Sequence, residues 1–132
     1  MKTKTVLLLG SILAGTAVIL GALGAHGLKP LITPEQLTSY ETGVRYQVYH
    51  AFALLLIAAL DDKINFNFRR YAAWAFVLGI GLFSGSIYLL SLHDLIGLTN
   101  YKWLGPITPL GGLCFIAGWI FVGIGALKSD NA

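Results

Sequence analysis

Charge is scarce in this sequence. Only 11% of its 132 residues are Asp, Glu, Lys or Arg, against 56% hydrophobic. An ordinary soluble domain carries about a quarter charged residues. With a mean hydropathy of +0.74, most of this chain is expected in lipid. The one cysteine, Cys114, excludes an intramolecular disulfide and a cysteine-rich metal site, and reads as a small apolar core residue. His26, His50 and His93 are widely spaced, with no second histidine at i+3 or i+4, so they form no zinc-binding pair along a helix. Neither a dinucleotide fingerprint nor a Walker loop is present. Ser84 and Ser86 lie in Phe83-Ser84-Gly85-Ser86, which is no nucleophile elbow. The apolar runs hold no paired carboxylates, which argues against acid-base catalysis and a carboxylate-driven proton pump. No enzyme activity, catalytic residue, metal or cofactor is therefore expected. The Lys and Arg residues are scattered among loops and ends rather than gathered on one face, so nucleic acid is not an expected partner.

What is present is four apolar runs: Val6 to Ala25, Gly43 to Leu60, Tyr71 to Leu92 and Gly105 to Leu127. Each is near the ~20 residues needed to cross about 30 Å of hydrocarbon. Backbone polar groups must be satisfied internally in lipid, so the expected fold is all-α: one integral membrane four-helix bundle over residues 1–132. Lys2 and Lys4 before an apolar run resemble a secretory signal, but the 20 residues from Val6 to Ala25 exceed a signal core, and a retained first helix is expected. Lys2, Lys4, Lys63, Arg69, Arg70 and Lys128 fall on one side of such a bundle, against Lys29, Arg45 and Lys102 on the other. Both termini are accordingly expected in the cytoplasm, with the charges of the turn between helices two and three as solvated interface anchors.

Thr33, Pro34 and Gln36 spell a capping box with proline at the first helical position, so helix two is expected to start outside the hydrocarbon. Pro106-Ile107-Thr108-Pro109 echoes Pro30-Leu31-Ile32-Thr33-Pro34, and a shared capping solution is the expected reason. Small residues recur on one face of helix one (Gly10, Ala14, Ala17, Gly21, Gly24) and every seven residues in helix four (Gly111, Gly118, Gly125), as close helix packing requires.

The anomaly is the polar content of helix two. Gly43, Gln47, His50 and Leu54 share one side with Tyr46 beside them, while Glu41, Arg45 and Tyr49 share the other. Glu41 and Arg45, spaced i,i+4 in the favourable order, are expected to form an interfacial ion pair. Counting from the inner end, His50 lies about 15 Å deep, near the midplane. Ser84, Tyr88 and Ser91 share a face of helix three, and His26 and Thr108 stand near the outer rim. His26, Tyr46, Gln47, His50, Ser84, Tyr88 and Thr108 thus make a candidate polar cluster in the outer half, either an interhelical hydrogen-bond network or a pocket.

Several stretches resemble the small bacterial membrane proteins of the YgdD type, the family of the domain of unknown function 423, related to eukaryotic transmembrane protein 256. They are the run Gly21 to Leu28 (GALGAHGL), Tyr46 to His50 (YQVYH), Phe83 to Tyr88 (FSGSIY), and Ile107 to Gly112 (ITPLGG) followed by Gly118-Trp119. Leu110 stands where isoleucine is expected. The resemblance covers nearly the whole chain and implies a four-helix protein of the bacterial inner membrane. It brings no catalytic residues, and adds Ser86 and Trp119 to the positions of interest.

Two functions are expected from this. One is a non-enzymatic structural or accessory role in the membrane, with the lipid bilayer and a second copy or a membrane complex as partners. The other is a small transport or binding protein whose outward-facing polar pocket takes a proton, an ion or an amphiphile such as a lipid or quinone.

Overall fold

The computed structural model describes residues 1–129, which form four long helices and no strand; the last three residues of the expected domain lie outside the described residues. Helix α1 spans Thr3–Leu28, its last six residues Leu23–Leu28 in a π-helical turn. Helix α2 is Pro34–Ala59. Helix α3 spans Phe66–Ser91, with a π-helical segment Ile80–Ser84 in its middle. A 3₁₀ turn, Lys102–Leu104, leads into α4, Ile107–Leu127. The first three helices start several residues before the apolar runs do, because their opening turns are polar.

By length and composition α1, α3 and α4 with its leading turn can cross a membrane, while α2 is too polar to qualify alone. Yet α2 buries Tyr40, Gly43, Gln47, His50, Ala51, Ala53, Leu54, Ile57 and Ala58. A polar membrane helix must show its polar face to protein, and α2 does so because α1 packs along one flank and α3 along another. Helix α4 packs along α3, so the order in space follows the order in sequence. The helices run up and down. Thr3 bonds Asp61 at 2.8 Å and Asn65 N–H donates to the Gly125 carbonyl at 2.9 Å, bringing the start of α1, the α2–α3 turn and the end of α4 to one end. At the other end Gln36 Nε2 bonds Asp94 at 3.1 Å.

The start of α2 is built as its sequence reads: Thr33 Oγ1 accepts from Gln36 N–H and Gln36 Oε1 accepts from Thr33 N–H. The echo before α4 is not a shared cap. Pro106 occupies the cap position without a side-chain bond, and the Thr108 hydroxyl pairs instead with Ser86 Oγ at 2.6 Å. Thr108 lies inside the first turn of α4 rather than before it, which turns its hydroxyl to the neighbouring helix. Asn65 caps α3 through Asn67 N–H and reaches the Lys128 carbonyl with its amide, so the α2–α3 turn closes the open end of α4 as well.

Glycine sets the spacing. A Cβ on Gly111 would run into the backbone of Phe83, and one on Gly118 into the Phe76 ring. On α1, a Cβ at Gly24 would stand 2.7 Å from the Tyr40 ring. Near the termini the core is apolar, with Val6, Leu54, Ile57, Ile64, Ala72 and Phe76 among its members. One charge enters it. Arg69, expected among the solvated anchors, is 5% exposed; its guanidinium donates to Thr3 Oγ1 at 2.9 Å, and its Nε has no partner. Its position on the first turn of α3 faces the start of α1, whereas Arg70, one residue on, is part-exposed.

Candidate functional site

The polar residues of the expected cluster divide into two groups. The first is a buried network joining α1, α2 and α3. Gln47 stands at its centre: its amide nitrogen donates to the Leu13 carbonyl at 2.9 Å and to Thr16 Oγ1 at 3.0 Å, and its oxygen accepts from the Tyr88 hydroxyl at 2.8 Å. Ser84 Oγ donates to the Gly43 carbonyl at 2.7 Å, and the Tyr40 hydroxyl donates to the Leu20 carbonyl at 2.6 Å. The Tyr40 and Tyr88 rings pack with centroids 5.3 Å apart. Small residues allow these bonds. Gly43 leaves room for Tyr88, whose ring would meet a Cβ there at 2.8 Å.

The second group faces α4. His50 is 5% exposed and lies flat against Phe115, the ring centroids 3.5 Å apart and the planes 7° from parallel. His50 Nδ1 lies 2.8 Å from the Tyr46 carbonyl, and Trp119 Nε1–H donates to His50 Nε2 at 3.2 Å. An indole N–H only donates and a carbonyl only accepts. The imidazole therefore carries its one proton on Nδ1 and is neutral in this arrangement. Both nitrogens are occupied.

Through these rings α2 and α4 meet side chain to side chain, their backbones held apart. The gap is a groove of about 770 Å³, open along one side and lined almost wholly by carbon. Tyr46, Tyr49 and His50 form one wall, Phe115, Ile116 and Trp119 the other, and Phe83 of α3 the back. Gly112 leaves the α4 wall hollow: a Cβ there would meet nothing closer than the Phe83 ring at 3.9 Å.

The chain belongs to the DUF423 family. The family profile, described as protein of unknown function (DUF423), matches residues 20–112. The chain is 44% identical to the UPF0382 membrane protein YwdK of Bacillus subtilis (strain 168) over 126 residues, covering 95% of this chain and 98% of that protein. It is 42% identical to the UPF0382 membrane protein SAB0533 of Staphylococcus aureus (strain bovine RF122 / ET3-1) over 125 residues, with 95% and 97% covered. No solved structure gives a significant match. The DUF423 chain is a multi-pass membrane protein of a family whose function is unknown.

The structure thus splits the expected cluster. Gln47, Ser84 and Tyr88 come together, His50 and Tyr46 belong to the groove, and Thr108 pairs with Ser86 between α3 and α4. His26 joins none of these; it is exposed on the π-helical turn that ends α1. The ion pair expected between Glu41 and Arg45 is not formed. Among the described residues, the ion pair within 4.0 Å is Lys63 with Asp62, and the His93 imidazole lies 3.2 Å from the Asp94 carboxylate. Both Glu41 and Arg45 are exposed, where holding two long side chains together gains little. Tyr40, Thr16 and Phe115 are additions that the sequence did not single out. A further small cleft of about 220 Å³ lies between Ser39, Thr42, Ser91 and Thr108, and the Ser91 hydroxyl is buried beside it without a partner. No three His, Cys, Asp or Glu side chains gather into a metal-binding group among the described residues.

Proposed function

We propose that this protein serves a structural or accessory role in the bacterial cytoplasmic membrane, without catalysing a reaction, its termini on the cytoplasmic side. The observation that carries this reading is the commitment of Gln47. Both its amide bonds and its carbonyl are used to tie α1, α2 and α3 together. Interhelical bonds of this kind stabilise a membrane bundle by about 0.6 to 2 kcal/mol each. His50, the one ionisable side chain of α2 buried near mid-membrane, likewise has both nitrogens occupied by protein. A proton or ion pathway needs groups free to exchange partners, and these are held. The six-to-three distribution of Lys and Arg supports the orientation, since the start of α1 and the end of α4 share an end with Lys63 and Arg70.

Proteoliposomes loaded with a pH-sensitive dye test the role. Vesicles containing the protein are expected to dissipate an imposed proton or potassium gradient no faster than protein-free vesicles. Faster dissipation, slowed by Gln47→Leu or His50→Asn, would overturn the structural reading. A reporter fused after Ala132 tests the orientation and is expected to be active only in the cytoplasm.

A further inference from the structure

Going beyond the structural role, we infer that the groove between α2 and α4 is a phospholipid site, taking one acyl chain along its length and the lipid phosphate at Arg45.

The groove calls for a hydrocarbon occupant. Its volume of about 770 Å³ lies within the ~300 to 1,000 Å³ of ligand pockets, which are likewise mostly apolar with a few placed polar groups. It opens sideways in a chain whose surroundings are lipid, so an acyl chain enters without leaving the bilayer. Nor can the helices close on it. The stacked His50 and Phe115 rings hold α2 off α4, and Trp119 braces the stack by bonding His50. The hollow at Gly112 then deepens the channel where a larger residue would fill it.

The polar groups select the amphiphile. The Tyr46 and Tyr49 hydroxyls, at the groove's edge, make no hydrogen bond to protein among the described residues. A phenol left unbonded in hydrocarbon is costly, and ester carbonyls at the head of an acyl chain offer acceptors. Arg45 stands four residues before Tyr49 on the same face of α2, about 6 Å further outward. It is exposed and has no carboxylate within 4.0 Å among the described residues. A cation above a chain-shaped channel complements an anionic headgroup, and guanidinium matches the oxygens of phosphate. A neutral prenyl lipid fits the channel but leaves Arg45 without a counter-charge. A second copy of the chain would have to set a carboxylate there.

Fluorescence quenching tests this, because Trp119 lines the groove while Trp74 faces outward from α3 at 52% exposure. Two single-tryptophan versions of the full chain, one keeping Trp119 and one keeping Trp74, are titrated in detergent micelles with phosphatidylglycerol or phosphatidylcholine brominated on the acyl chains. For Trp119 the expected result is saturable quenching at lower lipid than Trp74 requires, with phosphatidylglycerol preferred about fivefold, the worth of one cation near an anionic lipid. Gly112→Leu is expected to abolish the saturable part by filling the channel. Arg45→Gln, on an exposed side chain, is expected to remove the headgroup preference and keep the chain-dependent quenching. Equal quenching of Trp119 and Trp74 would overturn the site, as would a native mass spectrum showing a dimer that Gly112→Leu dissociates. Preference unchanged by Arg45→Gln, or displacement of the brominated lipid by a prenyl quinone at lower concentration than by phosphatidylglycerol, would overturn the phosphate assignment. None of these outcomes bears on the gradient measurement that tests the structural role.

Discussion

The Tyr88 hydroxyl donates to the Gln47 side-chain oxygen at 2.8 Å, and with the Ser84–Gly43 bond it fastens α3 to the α1–α2 pair. Removing Tyr88's donor by Tyr88→Phe is expected to destabilise the folded protein by about 1 kcal/mol, and Gln47→Leu, which breaks three bonds, by about 2 to 3 kcal/mol. The double variant should cost less than the sum, since both changes delete the same bond. Reversible unfolding in mixed micelles measures all three; strict additivity would mean that the two side chains do not interact.

Neighbouring glycines on α4 should behave differently. Gly111→Ala drives a methyl group into the Phe83 backbone and is expected to cost about 1 to 3 kcal/mol, whereas Gly112→Ala meets only ordinary contact and should be near neutral. Thermal stability of the two variants in the same detergent makes the comparison. Equal effects would contradict the register of α3 against α4.

His50 should be held in one tautomer. Nitrogen NMR of the labelled protein is expected to show a protonated Nδ1 and a bare, hydrogen-bonded Nε2. Trp119→Phe should shift the Nε2 resonance while leaving Nδ1 bound to the Tyr46 carbonyl. A proton on Nε2 in the unaltered protein would be incompatible with the Trp119 bond.

Two adjacent arginines offer a test of burial. With Cys114→Ala as background, a cysteine at position 70 should react with a charged maleimide several-fold faster than one at position 69, since Arg69 is buried and Arg70 is part-exposed. Equal labelling would show the start of α3 to be turned differently.

Much of the fold was legible in the sequence because its causes are local. The lengths of the apolar runs foretold four helices, and Thr33, Pro34 and Gln36 carry the start of α2 within four residues. The site was less legible. Gln47 and His50 sit three residues apart on one side of α2, yet the first meets α1 and α3 and the second meets α4. That division depends on which helix passes each turn, which spacing along α2 does not encode. Phe115 was missed because a phenylalanine in an apolar run looks like any lipid-facing residue until its partner ring is known. The echoed Thr-Pro misled for a related reason: α4 is capped two residues before Thr108, at Pro106, which moved Thr108 from cap to contact.

Because α1 packs on α2 and α4 on α3, each pair is a hairpin of consecutive helices, and the Tyr88–Gln47 and Ser84–Gly43 bonds lie on the seam between them. Each hairpin can enter the bilayer as it leaves the ribosome, but the seam closes only when the two meet there. Damage to the seam is then a fault of assembly rather than of insertion. A cell making such a variant would hold it in the membrane at full length, with its two halves drifting apart and open to quality-control proteases.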